Sequence, residues 1–215
     1  VPKRELPYPA DIQEVSCPTG DKVKPLTAGV DLYEEANTPG FTYELDPGEY
    51  RLTQQIVLDT EDSVTCYKGM GTDRGSVMIK ATTGTDVRAF EVVSAQIGFF
   101  NLVLDGKDTS AGVLVRKADN SASDGRLTTR GVTVQGFRCA ATDSETCALA
   151  LTQGAGTITK TAILSNICER ASLYGCGLAI DRSSARMSEV STRNAMACHI
   201  SNLTLMHLVS MPSIA

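Results

Sequence analysis

The sequence predicts an all-β solenoid with one short helix near its start, and three observations carry that prediction. Residues 128–152 and 157–181 align without a gap at an offset of 29, pairing Thr128 with Thr157, Val134 with Ile163, Cys139 with Cys168, Cys147 with Cys176, Leu149 with Leu178, Ala150 with Ala179 and Leu151 with Ile180. A unit of that length, with short apolar runs divided by polar turns, cannot bury its own apolar face and must stack on a neighbour. Tryptophan is absent and aromatics make up 5 % of the chain, so small and branched residues must fill the narrow interior, one layer above another. The 215 residues, 42 % hydrophobic, are enough for one sizeable core.

Composition also excludes some functions. A net charge of −5 with mixed signs along the chain gives no basic stripe for nucleic acid. No run approaches the roughly 18 apolar residues of a membrane span. The opening Val1-Pro2-Lys3 lacks an initiator Met and an apolar leader, which fits either a processed mature terminus or a fragment. Seven cysteines with neither Cys-x-x-Cys nor Cys/His metal spacing point to an oxidising compartment, with at least one cysteine left over. Asn202-Leu203-Thr204 is a glycosylation acceptor that fits a secreted or cell-surface protein. The sequence calls for no cofactor and no metal.

Taken in order, residues 1–30 carry four prolines, at 2, 7, 18 and 25, and read as an irregular arm that Cys17 ties down. Residues 31–215 form the stacked domain, which extends past Ala215 if the natural chain is longer. Residues 31–37 have a capping Asp31 and acidic residues in the first turn, with Thr38-Pro39-Gly40 as a stop, so a short helix is expected. Alternation in 41–45 marks a strand, Asp46-Pro47-Gly48 a turn, and 49–52 a second strand. Strands at 55–58 and 63–67 follow, then a glycine turn at Gly69-Met70-Gly71, then a strand at 76–80.

That order, carried by Leu45, Pro47, Gly48, Tyr50, Ile56, Val64, Thr65, Gly69, Gly71, Gly75 and Ile79, resembles the opening of a pectin-lyase-like right-handed parallel β-helix. The resemblance covers 31–205, with further coils at 89–104, 112–134, 147–167 and 177–205. Gly112-Val113-Leu114-Val115 and Gly177-Leu178-Ala179-Ile180, with Asn166 and Asn194 closing two units, are similar to the outer-surface repeat of β-helix adhesins. It implies the fold, with the first helix capping the stack, but not one activity, because this fold hosts many. The run 117–126 lengthens one coil by about six residues and should project as a loop, the best place for a functional excursion.

Candidate chemistry is sparse. Enzymes of this fold that cleave acidic polysaccharides set carboxylates on one exposed sheet face beside a cation. The galacturonan hydrolase motifs Asn-Thr-Asp, Asp-Asp, Gly-His-Gly and Arg-Ile-Lys are all missing. Asp105, Asp181 and Glu189 are the carboxylates nearest expected strands and Arg116, Arg130 and Arg138 the nearest cations, in no recognisable pair. His199 and His207 could act as bases near neutral pH, yet both lie outside any nucleophile or metal motif, and no Gly-x-Ser-x-Gly elbow exists. The glycines at 69, 71 and 75 read as a turn rather than a phosphate cradle. Among the rings, Phe99-Phe100 is the one adjacent pair, and adjacency on a strand sends one ring outward.

These readings lead to a rigid secreted or cell-surface rod: a filament, coat or adhesin subunit. A polysaccharide lyase or hydrolase and a non-catalytic glycan-binding module are the alternatives. Two cysteine schemes are open. Each turn closes on itself, Cys139 with Cys147 and Cys168 with Cys176, or neighbouring coils are joined, Cys139 with Cys168 and Cys147 with Cys176. In either, Cys17 pairs with Cys66 and Cys198 stays single. Residues 200–205 still alternate like a strand near the end of the chain, so the C-terminal coil is expected to meet further coils or related subunits end to end.

Overall fold

The computed structural model describes residues 13–73, 75–84, 87–107, 110–139, 148–153, 155–164, 167–168, 178–181, 183–188, 190–193, 199–201 and 208–209. Their strands are β1 (Val23–Leu26), β2 (Thr42–Leu45), β3 (Gly48–Leu52), β4 (Ile56–Leu58), β5 (Val64–Gly69), β6 (Val77–Ala81), β7 (Arg88–Val93), β8 (Gln96–Asp105), β9 (Ala111–Arg116) and β10 (Arg126–Gln135). The later ones are β11 (Arg138–Cys139), β12 (Leu149–Thr152), β13 (Ala155–Thr159), β14 (Ala162–Leu164), β15 (Ile167–Cys168), β16 (Leu178–Asp181), β17 (Ser184–Ser188), β18 (Ser191–Arg193), β19 (His199–Ser201) and β20 (Leu208–Val209). Apart from a 3₁₀ turn at Gly20–Lys22, helix among the described residues is confined to α1 (Leu32–Glu35).

The strands fall into three main columns, and the chain visits them in turn. The first runs β1-β2-β5-β8-β10-β13-β17-β20, and the third β19-β16-β12-β9-β7-β4. The second holds β3, β6, β14 and β18, with the latter halves of β8 and β10 between them. A short pair, β11 with β15, stands beside them. Every pairing between these strands is parallel, as a chain that returns to each column from the same direction must make it.

The internal repeat is the ladder register itself. Thr128 faces Thr157, Val134 faces Ile163, Cys139 faces Cys168, and Leu149 faces Leu178, all 29 residues apart. The same spacing continues one layer further, where Ala155 faces Ser184 and Ala162 faces Ser191. Elsewhere it varies, from 19 residues between Val23 and Thr42 to 36 between Val113 and Leu149.

Corners between the first and second columns are made by residues with positive φ. Asn101 (φ 52°) bends β8 and Gly131 (φ 67°) bends β10, and Lys160 (φ 49°) lies between β13 and β14. Asn101 also donates its side-chain amide to the carbonyls of Gly69 (3.2 Å) and Gly71 (2.8 Å), closing the glycine turn of the preceding layer.

One inward row of the first column reads Tyr43, Tyr67, Phe99, Thr129, Ile158, Met187, and Leu208 is the ladder partner of Met187. The first three rings stack at centroid distances of 5.4 and 5.6 Å, and Phe90 of the third column meets Phe99 edge-on at 5.1 Å. Val113, Val115, Leu149 and Leu151 are buried as the sequence suggests, with Leu178 and Ile180 as ladder partners of the last two.

Helix α1 is capped by the Asp31 carboxylate, which accepts from the Tyr33 N–H, and it buries Leu32. The hydroxyl of Tyr67 crosses the core to donate to the Ala36 carbonyl at the helix end (2.7 Å). Residues 1–30 were expected to be irregular throughout, yet β1 forms within them, with Pro25 inside it. Proline is tolerated there because β1 is an edge strand. Leu26 O accepts from Asp46 N on the β2 side, so the alternating Pro25 faces the open edge, where no N–H is needed.

Candidate functional site

Two outer faces gather chemistry. The first is the outside of the third column, where the ladder sets Glu91 of β7 beside Leu114 of β9 and Val93 beside Arg116. Glu91 Oε1 accepts from Arg116 Nε at 3.2 Å, while its Oε2 accepts from Gln55 Nε2 at 3.1 Å and lies 3.7 Å from Arg88 Nη1. One carboxylate is thus held by two guanidinium groups and an amide. Arg116, its side chain 36 % exposed, spends Nε on Glu91, and its terminal amino groups have no hydrogen-bond partner among the described residues. Thr152 is the next rung after Arg116 and Asp181 the rung after that, with Ser201 beyond it and His199 opposite Ala179. The ladder therefore brings Arg116, Asp181 and His199 into one column.

The remaining sequence candidates are dispersed. Asp105 ends β8 near the second column and is occupied by Lys107, through the backbone N–H at 2.9 Å and the ammonium at 3.2 Å, and by Gln135 at 3.4 Å. Arg138 sits in β11 opposite Ile167. Glu189, His207, Cys147, Cys176, Cys198 and Asn202 lie outside the described residues. Cys139 and Cys168 are direct ladder partners. The glycine turn presents carbonyls to Asn101, and a Cβ at Gly69 would come within 2.0 Å of Asn101 O, so close backbone packing accounts for that glycine. Among the described residues no three His, Cys, Asp or Glu side chains are grouped to hold a metal. The run 117–125 is a nine-residue excursion where the corresponding connection between β12 and β13 has two residues, and it is tied down by Lys117 to Asp124 (3.0 Å) and by Ala118 N to Ser94 Oγ (2.9 Å). Its Ser121 hydroxyl also reaches Glu61, holding that carboxyl below its ordinary value.

The second face is the outside of the first column, and residues 13–19 lie across it as an extended strap. Glu14 pairs with Arg130 (3.2 Å), Val15 N–H donates to Thr128 Oγ1 (2.8 Å), Cys17 is disulfide-bonded to Cys66 (Cα–Cα 5.8 Å), and Pro18 O accepts from Thr42 Oγ1 (2.6 Å). The strap thus crosses from β10 back to β2. Phe100 is the outward ring of its pair, as adjacency requires, yet it is only 8 % exposed. Val15 and the disulfide cover it, and the Arg130 guanidinium stands 5.2 Å from its ring centre. Gly98 makes room, since a Cβ there would meet the Phe100 ring at 2.5 Å and Cys66 Sγ at 3.0 Å. Beyond Thr128 in the same row, the Thr157 hydroxyl is buried without a hydrogen-bond partner among the described residues.

Sequence reasoning missed Glu91, Gln55 and Arg88, because a lone charge in an apolar strand reads as solvated. The signal lay in the register with Arg116, which requires knowing the length of that particular layer.

No family model and no curated protein matches the chain. Among solved structures it is similar to ORF18 of Geobacillus virus E2, with a TM-score of 0.51 and 12 % identity over 76 % of this chain. It is also similar to the PL6 family alginate lyase AlyGC, with a TM-score of 0.50 and 14 % identity over 94 % of this chain. The chain spans about a third of either protein's length, 33 % of the viral chain and 30 % of the lyase. At this identity the likeness is one of fold.

Proposed function

We propose that this chain is a segment of a right-handed parallel β-helix that serves as a rigid rod in a secreted or cell-surface structural protein. The observation that carries the reading is the unbroken parallel ladder of the first column, from β1 to β20, with a 29-residue register in its later layers. Eight strands at about 4.8 Å make a stack about 34 Å long whose shape is set by main-chain hydrogen bonds. The disulfide fits an oxidising compartment. End-to-end contact with related subunits belongs to this reading, and at the first end Pro25 blunts the edge of β1. Sedimentation velocity tests the reading: an elongated particle that self-associates as concentration rises is the expected result. A compact particle that stays monomeric at every concentration overturns it.

A second reading, a glycan-binding surface, is favoured by the Arg116 cluster. An arginine oriented through Nε, whose terminal amino groups have no hydrogen-bond partner among the described residues, suits a planar carboxylate, so an acidic polysaccharide is the ligand class. Arg116→Gln should reduce retention on a uronate polymer by about tenfold, with no change on a neutral glucan. Equal retention of both proteins would remove this reading.

A further inference from the structure

The strap over the first column binds through groups that do not depend on belonging to the same chain. Two of its links use its backbone, the Val15 N–H to Thr128 and the Pro18 carbonyl to Thr42, and the others are one ion pair and one disulfide. All four are made to outward-facing side chains. The strap is joined to the sheet through residues 19–22, which are exposed and include Gly20 at φ 68° followed by a single 3₁₀ turn. Beneath it lie Phe100, Cys66 and the flat spot at Gly98, an apolar patch that needs a cover.

We propose that the outer face of the first column is a docking surface for residues 13–19 of a second copy of this chain, so that two copies exchange straps and are joined reciprocally by Cys17 to Cys66. An identical segment fits identical sockets, so exchange loses none of these contacts and reorganises only the hinge at 19–22. Four hinge residues reach about 14 Å, which requires the two faces to lie side by side and favours a closed two-fold pair. Within one copy the short tether gives the strap an effective concentration of the order of mM, so exchange becomes visible where copies are crowded.

The covalent step balances without an oxidant. A small thiolate attacks one sulfur of the Cys17–Cys66 bond, forming a mixed disulfide and releasing the other cysteine as a thiolate. A released thiolate of one copy then attacks the mixed disulfide of another, forming the intermolecular bond and returning the small thiol.

Two measurements decide the proposal. In the first, Cys17→Ser and Cys66→Ser proteins, neither able to close the bond internally, are mixed in a reduced and oxidised glutathione buffer. A covalent pair whose non-reduced peptide map contains Cys17 joined to Cys66 is expected in the mixture and in neither protein alone. Pairs joined only through other cysteines, or no pairs, overturn it. In the second, wild-type protein labelled with heavy nitrogen is mixed with unlabelled protein in the same buffer at high concentration. The Cys17–Cys66 peptide should become a heavy–light hybrid in up to half of the molecules, and a peptide that stays all heavy or all light overturns the exchange. This readout is independent of particle shape, so it can fail while the rod reading stands.

Discussion

The same inward row is built in two ways along the stack. In its early layers Tyr43, Tyr67 and Phe99 stack ring on ring, and in its later layers Thr129, Ile158 and Met187 continue the column with smaller or unbranched chains. The difference follows from what surrounds each part. Early layers must be joined to α1 and β1, and a tyrosine spans the core while delivering a hydroxyl to a backbone carbonyl. Tyr67 reaches Ala36 O, Tyr43 reaches Thr38 O, and Tyr50 of the second column reaches Leu26 O. Among the described residues the later layers hold no helix, and from β10 to β17 they repeat at a spacing of 29, so aliphatic side chains that fit over themselves suffice. The rings anchor irregular structure, and the aliphatics propagate regular structure.

The largest effect should come from breaking the ring stack. Phe99→Ala removes contacts with both Tyr67 and Phe90 and should cost about 4 kcal/mol in urea unfolding, whereas Ile158→Val should cost about 1 kcal/mol. Equal costs would abolish the distinction between the two parts. Next, Tyr67→Phe leaves the Ala36 carbonyl buried without a donor and should cost about 1 to 2 kcal/mol, with faster amide exchange confined to α1 and its flanks. Uniformly faster exchange would show that the hydroxyl does not act on the helix.

Alkali tests the same anchors. Burial, reinforced by the Asp46 charge, pushes the Tyr50 hydroxyl up to about 12, and burial raises Tyr67 and Tyr43 as well. The native state therefore keeps protons that the unfolded chain releases near pH 10, so stability is intact below pH 10 and is lost as pH rises toward 12. Tyr50→Phe should flatten that loss in a pH series of unfolding midpoints, and an unchanged slope would exclude Tyr50 as a source. The smallest effect contrasts two threonines of one outer row. Thr128→Val deprives the Val15 N–H of its acceptor and should cost about 1 kcal/mol, while Thr157→Val removes a buried hydroxyl that has no partner among the described residues and should be neutral or slightly stabilising. A loss at both positions would mean that Thr157 has a partner in solution.

What could be read from the sequence followed the constancy of the layers. Between β12 and β16 the spacing is constant, so aligning the chain with itself yields the contact between Leu149 and Leu178 directly. Val113 and Leu149 are 36 residues apart because the run 117–125 and further residues intervene, and no self-alignment finds that pair. Glu91 and Arg116 were hidden for the same reason, since their layer has a spacing of only 23, as between Arg88 and Ala111. That one ring of the Phe99-Phe100 pair faces outward was legible, but neither that it is Phe100 nor that it is covered, because its cover comes from Val15, far away in the chain. Pro25 hid β1 because a proline signals a break until the strand is known to be an edge.

The constant register also bears on how such a protein can change length. Because Thr128 faces Thr157 and Ala155 faces Ser184, loss of residues 128–156 from the gene would place Thr157 where Thr128 stood, above Gly98, with the later ladder pairs kept in register. Duplication of the same stretch would add one layer in register. Length in this part of the molecule is therefore counted in whole units of 29 residues, and recombination between its two copies can lengthen or shorten the stack without redesigning its core.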